Sequence, residues 1–367
     1  MSTDHDADHN PAGAVRDEDA FDVAAVTAWL REHATDATGL DGTPDVRQFA
    51  GGASNLTYRL DWSSGRSLIL RRPPSGRKAK GAHDMGREHR IQSRLIPVFP
   101  YVPEMVAFCD DESVIGSEFY VMERLPGTIL RAELPEGVTL SEGDARVLCE
   151  TFLDVLAELH GVDVHAAGLD DLGKGQGYVA RQVGGWSERY RRARTDNVGD
   201  LEVVMAWLDA QQPADVATTV IHNDYRLDNV VLQGLGTPDL RITGVLDWEM
   251  ATLGDPLMDL GGAMAYWIQA DDEPAYLALR RQPTHLPGVL TRAEMVAGYA
   301  ARTGREVTPE QWRFYEVFGL FRLAVIAQQI YYRFHHGQTT NPAYGAFLDV
   351  VRYLDVRCTR LVKEAGD

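Results

Sequence analysis

Residues 220–259 decide the fold of this chain: VIHNDYRLDNVVLQGLGTPDLRITGVLDWEMATLGDPLMD. Two apolar runs in this stretch, residues 230–232 and 242–246, are separated by the turn-forming sequence GLGTPD. Such a pattern predicts a β-hairpin. Asp224 comes shortly before the first strand, and Asp247 directly follows the second. The hairpin is therefore expected to carry polar functional groups at its ends.

The spacing of these polar groups suits phosphoryl transfer. This reaction needs a carboxylate that orients the attacking hydroxyl, and oxygen ligands that hold Mg²⁺ on a triphosphate. Asp224 fits the first task, while Asn229 and Asp247 fit the second. Arg226 is placed to meet the charge that develops on the transferred phosphate, whereas His222 is expected to pack. The alternative is a pair of ordinary polar turns, but the combined pattern favours the site.

The motif HNDYRLDN followed by VLDWE resembles the catalytic and metal loops of the aminoglycoside phosphotransferase family, distant relatives of protein kinases. The runs GYVARQVGGWSERY, LDWEMATLGDPLMDLG and FRLAVIAQQIYYRF are similar to the kinase-like domain that is fused to some acyl-CoA dehydrogenases, and to its free-standing bacterial homologues. The resemblance extends roughly over residues 46–332. It implies an α+β, protein-kinase-like fold with two lobes, and ATP and Mg²⁺ as cofactors.

The predicted domain organisation follows this resemblance. Residues 1–21 are rich in acids and read as a disordered tail. Residues 22–122 should form an N-terminal nucleotide-binding lobe, with a helix capped by Asp22 and short antiparallel strands near residues 46–49, 56–62 and 68–70. Residues 123–127 are the expected hinge, and residues 128–367 a mostly helical lobe. There, a helix capped by Ser141 is predicted to have an apolar face that begins at Val147.

The nucleotide-binding residues are predicted from three segments of the N-terminal lobe. The turn AGGASN between the first two strands resembles a phosphate-covering loop, although a Gly-Gly pair most often only forms a hairpin turn. The third strand ends in Arg71, where kinases have a lysine, and its expected partner is Glu88; the choice between Arg71 and Arg72 stays open. The hinge segment is assigned from the family resemblance, which implies that adenine binds to its backbone. The predicted cofactor-binding residues are Gly51, Gly52, Ser54, Asn55, Arg71, Glu88, Met122, Glu123 and Leu125.

The acceptor site is predicted from a cluster of arginines. Five of them lie within fourteen residues beside two aromatic side chains: Arg181, Arg189, Arg191, Arg192 and Arg194, with Trp186 and Tyr190. A second basic run contains Arg71, Arg72, Arg77, Lys78 and Lys80. Such clusters attract anions, although a solvated surface is the competing interpretation. Arg181, Trp186, Tyr190 and Glu249 are the predicted substrate-binding residues.

These clusters favour a hydroxyacyl-CoA or another phosphate-bearing alcohol as the acceptor, since the resemblance links the fused domains to phosphorylation of hydroxyacyl-CoA. It also implies a possible functional link to acyl-CoA dehydrogenases. An aminoglycoside or choline-like acceptor is the alternative within the same class. A nucleotide-binding pseudokinase that serves as a scaffold is an alternative of another class, but the presence of Asp224, Asn229 and Asp247 speaks against it.

Composition sets the outer limits of function. The chain has 367 residues, 44% of them hydrophobic, which is enough for a large core. Its formal net charge of −18 disfavours binding to nucleic acid. We expect neither a membrane span nor a signal peptide, since no apolar run is long enough and the N-terminus is acidic. Three widely spaced cysteines indicate a reduced, cytoplasmic setting.

Overall fold

An antiparallel sheet forms the N-terminal lobe in the computed structural model, which describes residues 10, 12–49, 55–74 and 84–365. In this described part, the sheet has six strands in the order β1-β2-β3-β4-β6-β5. The strands are β1 (Ala12–Gly13), β2 (Asp45–Phe49), β3 (Leu56–Asp61), β4 (Ser67–Arg72), β5 (Met105–Cys109) and β6 (Phe119–Glu123). The predicted antiparallel arrangement of the N-terminal lobe is confirmed.

Both faces of this sheet are covered by helices. Helix α1 (Val23–His33) begins at Asp22, whose carboxylate accepts a hydrogen bond from the Ala25 amide at 2.9 Å, as its sequence predicted. Helix α1 covers the face that carries Tyr58, and helix α2 (Met85–Leu95) packs on the opposite face, with Ile69. Strand β4 is therefore buried on both sides, and its successive side chains point to opposite faces.

The C-terminal lobe is mostly helical. Its helices are α3 (Glu142–His160), α4 (Tyr178–Ala193), α5 (Glu202–Gln211), α6 (Pro256–Met264), α7 (Pro274–Leu277), α8 (Arg292–Thr303), α9 (Pro309–His335) and α10 (Phe347–Glu364). The predicted hairpin is present as β8 (Val230–Gln233) and β9 (Arg241–Val245), and beside it β7 (Thr219–Ile221) pairs with β10 (Thr252–Gly254). These two small sheets hold the motif residues above the helical core.

Helix α9 is the centre of this core, packed against α4, α6 and α10. Its contact with α6 depends on two glycines. A Cβ added at Gly319 would lie 2.2 Å from the Gly261 carbonyl oxygen, and one at Gly261 would lie 2.6 Å from the Tyr315 oxygen. Because neither helix has a side chain at this crossing, the backbones of α6 and α9 are in direct contact. This contact fixes the position of α6 relative to α9.

The prediction of a disordered tail is wrong for residues 12–21. Strand β1 pairs with β2, and Asp19 is buried, where its carboxylate accepts a hydrogen bond from Gln48 at 2.9 Å. The Tyr58 hydroxyl also donates to the Asp19 carbonyl at 2.7 Å. The N-terminal lobe therefore includes residues 12–21, while residues 1–9 and 11 lie outside the described part of the chain.

The cap and the apolar face of helix α3 can be compared with their predictions. Ser141 caps α3 in a reciprocal arrangement with Asp144, as predicted. Val147, however, does not belong to the apolar face of this helix, because it is 41% exposed. No helix within the described ranges is both long and apolar enough to cross a membrane.

Candidate active site

A cavity of about 370 Å³ is lined by residues of both lobes. Its apolar lining residues include Phe49, Ile69, Met122, Leu125, Val231 and Leu246. Its polar lining residues include Asn55, Arg71, Asp224, Arg226, Asn229, Asp247 and Glu249. The cavity thus brings together most of the predicted catalytic, metal and nucleotide residues, and we call it the cleft cavity.

The loop before β8 is fixed by buried hydrogen bonds. The backbone amides of His222 and Asn223 donate to the two carboxylate oxygens of Asp259, each at 2.7 Å. Asn223 adopts a left-handed backbone conformation with φ of 64°, which asparagine tolerates better than most residues. His222 accepts from the Asp224 amide and donates to the Leu246 carbonyl at 2.9 Å. His222 therefore has the packing role that the sequence predicted.

Asp224 is surrounded by donors. The Asn229 side-chain nitrogen donates to the Asp224 carbonyl at 2.8 Å and to its carboxylate at 2.9 Å. Arg226 lies 3.0 Å from the Asp224 carboxylate and 3.3 Å from that of Asp228, over the ring of Tyr266. Burial alone would lower the pKa of Arg226, but Asp224 and Asp228 raise it. The guanidinium therefore keeps its positive charge beside Asp224.

The two predicted metal ligands present oxygen atoms to the same cavity. Asp247 also has a left-handed backbone, with φ of 68°, and its carboxylate accepts from Arg71 at 2.9 Å. Burial raises the pKa of Asp247, but Arg71, His222 and Arg226 together outweigh burial, so the pKa lies below its ordinary value. Both amide hydrogens of Asn229 are directed at Asp224, which leaves its Oδ1 available. Within the described ranges, no group of three or more His, Cys, Asp or Glu residues could hold a metal ion.

The structure distinguishes between the two arginines of β4. Arg71 points into the cleft, where it pairs with Glu88 at 3.2 Å and with Asp247. Arg72 points to the opposite face and donates to the Asp19 carbonyl at 2.6 Å. Burial raises the pKa of Glu88, although Arg71 opposes this effect. Glu88 also accepts from the Tyr120 hydroxyl at 2.7 Å.

The remaining predicted nucleotide residues are only partly described. Met122, Glu123 and Leu125 line the cleft cavity. Gly51, Gly52 and Ser54 lie outside the described residues. The side chain of Asn55 donates to Glu249 at 3.2 Å and to Glu88 at 3.4 Å. Glu249, which was predicted to bind the substrate, thus stands in the wall of the cleft cavity.

A second cavity, of about 480 Å³, lies beside the first. Arg181 and Trp186 line it, together with Arg189. The prediction for Tyr190 is wrong, because its ring is fully buried and its hydroxyl donates to the Gly199 carbonyl at 2.7 Å. Arg191 is also turned away from this cavity and pairs with Glu202.

Three residues of functional interest were missed from the sequence: Asp259, Lys174 and Arg322. Asp259 has a recognisable signal, since it is a carboxylate in an otherwise apolar helix, PLMDLGGAM, and a buried charge requires partners. Lys174 and Arg322 line the second cavity but lie far apart in the sequence, on a loop and on α9. No local pattern connects them.

Comparison with known proteins defines the class. A model described as the phosphotransferase enzyme family, APH, matches residues 45–296, and the chain therefore belongs to this family. It has the two-lobed, kinase-like fold and is a small-molecule kinase.

The chain is also similar to individual known proteins. The chain is 35% identical over 302 residues to acyl-CoA dehydrogenase family member 10 of Mus musculus; the match covers 82% of this chain and 27% of that protein. It is 32% identical over 327 residues to family member 11 of Rattus norvegicus, covering 88% and 41%. The chain thus spans less than half the length of these relatives. A Ralstonia eutropha protein provisionally designated an aminoglycoside phosphotransferase has a TM-score of 0.78 and 32% identity, over 94% of this chain and 99% of that one.

Proposed function

We propose that this protein is an ATP- and Mg²⁺-dependent kinase that phosphorylates a hydroxyl of a small molecule, namely a hydroxyacyl-CoA or a related phosphate-bearing alcohol. One observation carries the proposal: Asp224, Asn229 and Asp247 line one cavity together with several apolar side chains. Apolar lining residues suit a flat nucleobase. The polar ones suit a triphosphate with its cation.

The residues present fit the proposed cofactors. Mg²⁺ is usually bound through one or two protein oxygens together with phosphates and water, and Asn229 Oδ1 and Asp247 provide such a pair. Arg71, paired with Glu88, would hold the nucleotide's phosphates, as the family resemblance implies. ATP supplies the phosphoryl group, and Mg²⁺ neutralises charge on its phosphates.

Asp224 has the position and the chemistry of the group that orients the acceptor. Its carboxylate is partly exposed to the cleft cavity, so that it can accept a hydrogen bond from an incoming hydroxyl. Asn229 and Arg226 fix the rotamer of this carboxylate through the contacts described above. Arg226 also places a positive charge close to where charge develops during transfer.

The acceptor is inferred from two observations. The names of both mammalian relatives refer to acyl-CoA, although the chain spans only 27% and 41% of their lengths. The second cavity is lined by cations, which disfavours a polycationic aminoglycoside despite the designation of the Ralstonia protein. A functional link to acyl-CoA dehydrogenases and a cytoplasmic setting belong to the same proposal. The three cysteines are buried and unpaired, in agreement with a reducing compartment.

Turnover of ATP with Mg²⁺ across a panel of hydroxyacyl-CoA esters, aminoglycosides and choline tests this proposal, with mass spectrometry to detect the phosphoester. In Asp224→Asn, the hydroxyl loses its carboxylate partner, so turnover should fall by roughly 100-fold or more while ATP still binds. Asp239→Asn, in the exposed hairpin turn, is the matched control and should behave like the wild type. Turnover of Asp224→Asn within about threefold of the wild type would exclude this role for Asp224.

A further inference from the structure

The second cavity and the cleft cavity are lined by neighbouring residues of the same segments. Asn223 lines the second cavity, and the next residue, Asp224, lines the first. Met250 and Thr252, shortly after the metal loop, also line the second cavity. Burial raises the pKa of Tyr178 to about 12, so its hydroxyl remains protonated and donates to the Asn223 side chain at 2.9 Å. A molecule bound in the second cavity would therefore lie against the same loop that presents Asp224 to the cleft cavity.

Four cations line this cavity: Lys174, Arg181, Arg189 and Arg322. No Asp or Glu is among the described residues of its wall. This charge is unusual in a chain whose formal net charge is −18. Because like charges repel, four cations without an anion in one wall are favourable only when counterions or an anionic ligand compensate them.

The cations of the wall differ from other arginines of the same helix in their partners. Arg191 forms a two-pronged ion pair with Glu202, at 2.8 and 2.7 Å. Within the described chain, Lys174 and Arg189 form neither an ion pair nor a hydrogen bond. The guanidinium of Arg181 donates to backbone carbonyls of its own loop, those of Gly175 and Gln176. Lys174 and Arg189 are therefore the two cations of this wall whose donors are all left for a ligand.

Trp186 arranges two of the cations. The guanidinium of Arg189 lies 4.5 Å from the centre of its ring, and that of Arg322 lies 5.3 Å away. Arg322 also donates to the Asn223 carbonyl at 2.7 Å. The indole nitrogen donates to Gln182 at 3.0 Å, which fixes the ring plane. The arginines thus need little reordering when they bind an anion, since the cation–π contacts already restrict them.

We propose that the second cavity is an anion-binding subsite that takes a phosphate or pyrophosphate group of the acceptor, with Lys174 and Arg189 as its principal ligands. This inference rests on the proposed kinase function and deepens it. It replaces the broader prediction for the 181–194 segment, because Tyr190 and Arg191 face elsewhere. Phosphate oxygens accept charge-assisted, forked hydrogen bonds from a guanidinium. The subsite would hold the charged end of the acceptor while its hydroxyl reaches Asp224.

Calorimetry tests this subsite without turnover. The full chain is first saturated with Mg²⁺ and a non-hydrolysable ATP analogue, so that the cleft cavity is blocked. Coenzyme A, dephospho-coenzyme A and pantetheine are then titrated; they carry three, two and no phosphates. We expect coenzyme A and its dephospho form to bind and pantetheine to bind far more weakly. Equal affinities for all three would show that phosphate is not recognised, and would overturn the proposal.

Two variants and one control locate the binding. Lys174→Gln and Arg189→Gln should each lower the affinity for coenzyme A by about tenfold or more, because each removes charged contacts to phosphate. Arg191→Gln changes the same kind of residue on the same helix and should stay within about twofold of the wild type. The subsite is overturned if both cavity variants keep the wild-type affinity for coenzyme A. It is also overturned if Arg191→Gln reduces this affinity as much as the cavity variants do.

The two proposals fail in different ways. If Asp224→Asn abolishes phosphorylation while Lys174→Gln and Arg189→Gln both leave coenzyme A affinity unchanged, the kinase proposal stands and the subsite is wrong. If Arg189→Gln weakens coenzyme A binding while Asp224→Asn turns over normally, the subsite stands and the catalytic proposal is wrong. Arg322 is left out of the test because its contact with the Asn223 carbonyl would combine effects on binding and on the catalytic loop.

Discussion

Arg71 shows how a single residue can organise the cleft. Its guanidinium contacts Glu88 at 3.2 Å and Asp247 at 2.9 Å, with separate nitrogens. A lysine presents one compact ammonium and could not bridge both carboxylates with the same fixed geometry. Arg71 therefore joins helix α2 to the loop that carries Asp247 through one side chain. As a consequence, Asp247 is already paired with a cation, and the proposed Mg²⁺ would share its carboxylate with Arg71.

Asp247→Ala is expected to remove the effect of Mg²⁺ on ATP affinity. Asn229 would then be the remaining protein oxygen, and a neutral amide attracts the cation less than a carboxylate does. Calorimetry of ATP binding with and without Mg²⁺ measures the difference directly. Asp239→Ala, far from the cleft on the hairpin turn, should retain the full Mg²⁺ effect. If Asp247→Ala also retains it, the metal is bound elsewhere.

At the level of elements, helix α6 fixes the loop before β8, which carries Asp224. Asp259 on this helix accepts the amides of His222 and Asn223 and contacts His160 of α3 at 3.1 Å. One buried carboxylate thus joins two helices to the loop that carries Asp224. Burial alone raises the pKa of Asp259, but its hydrogen bonds and His160 lower it below the ordinary value. The carboxylate therefore contributes stability as long as it is ionised.

Asp259→Asn is expected to lower the free energy of unfolding by about 1–3 kcal/mol at neutral pH, because an amide group would face two N–H donors. Since the folded pKa is depressed, this contribution is fully present above the unfolded pKa of about 4 and is lost as pH falls towards the folded pKa. The difference in free energy of unfolding between the wild type and Asp259→Asn should therefore become smaller below about pH 4. Urea unfolding across this range measures it.

The control for this prediction is Asp110→Asn, at an exposed aspartate, which should change stability by less than about 0.5 kcal/mol. A gap between wild type and Asp259→Asn that stays constant down to about pH 3 would show that the charge of Asp259 is not what stabilises the loop.

The elements also show what the sequence could and could not predict. Asp224, Asn229 and Asp247 were predictable because a short loop and one hairpin bring them together. Tyr190 and Arg191 were not, because the arginine-rich segment is a helix, on which Arg191 lies about 200° around the axis from Arg189. The order in residues 12–21 was missed for a different reason. An acid-rich composition indicates solvation, but Asp19 finds Gln48 and Arg72 only in the assembled sheet.

At the scale of the whole molecule, the two lobes meet on both sides of the cleft. On the hinge side, Asn10 donates to the Gly127 carbonyl at 3.0 Å and accepts from the Ile129 amide at 3.1 Å. On the other side, three residues of the N-terminal lobe reach the segment 247–251: Arg71, Asn55 and Arg87. These contacts tie the segment that carries Asp247 to the N-terminal lobe, and we expect the affinity for the proposed nucleotide to depend on this docking.

Arg87 allows this dependence to be tested away from the proposed ligands. It lies on α2 next to Glu88 and donates to the backbone carbonyls of Glu249 and Ala251. Each hydrogen bond from a charged donor stabilises by about 1.5–3 kcal/mol, so Arg87→Ala should reduce the docked population. When only a fraction of the molecules has the docked, binding-competent conformation, the apparent affinity for the ligand is reduced by that fraction. We therefore expect Mg²⁺-ATP affinity, measured by calorimetry, to fall by about tenfold, or about 1.4 kcal/mol.

The matched control is Arg90→Ala, one turn further along α2, where the arginine is exposed and lies 3.9 Å from Asp171. Such a surface pair contributes little, and affinity should change by less than about twofold. The distinction matters because Arg87→Ala leaves the Arg71–Glu88 pair and both metal ligands in place. If its affinity nevertheless equals that of the wild type, the contacts of Arg71, Asn55 and Asn10 hold the lobes together without Arg87. The nucleotide site would then be rigid, and affinity would not be coupled to docking of the lobes.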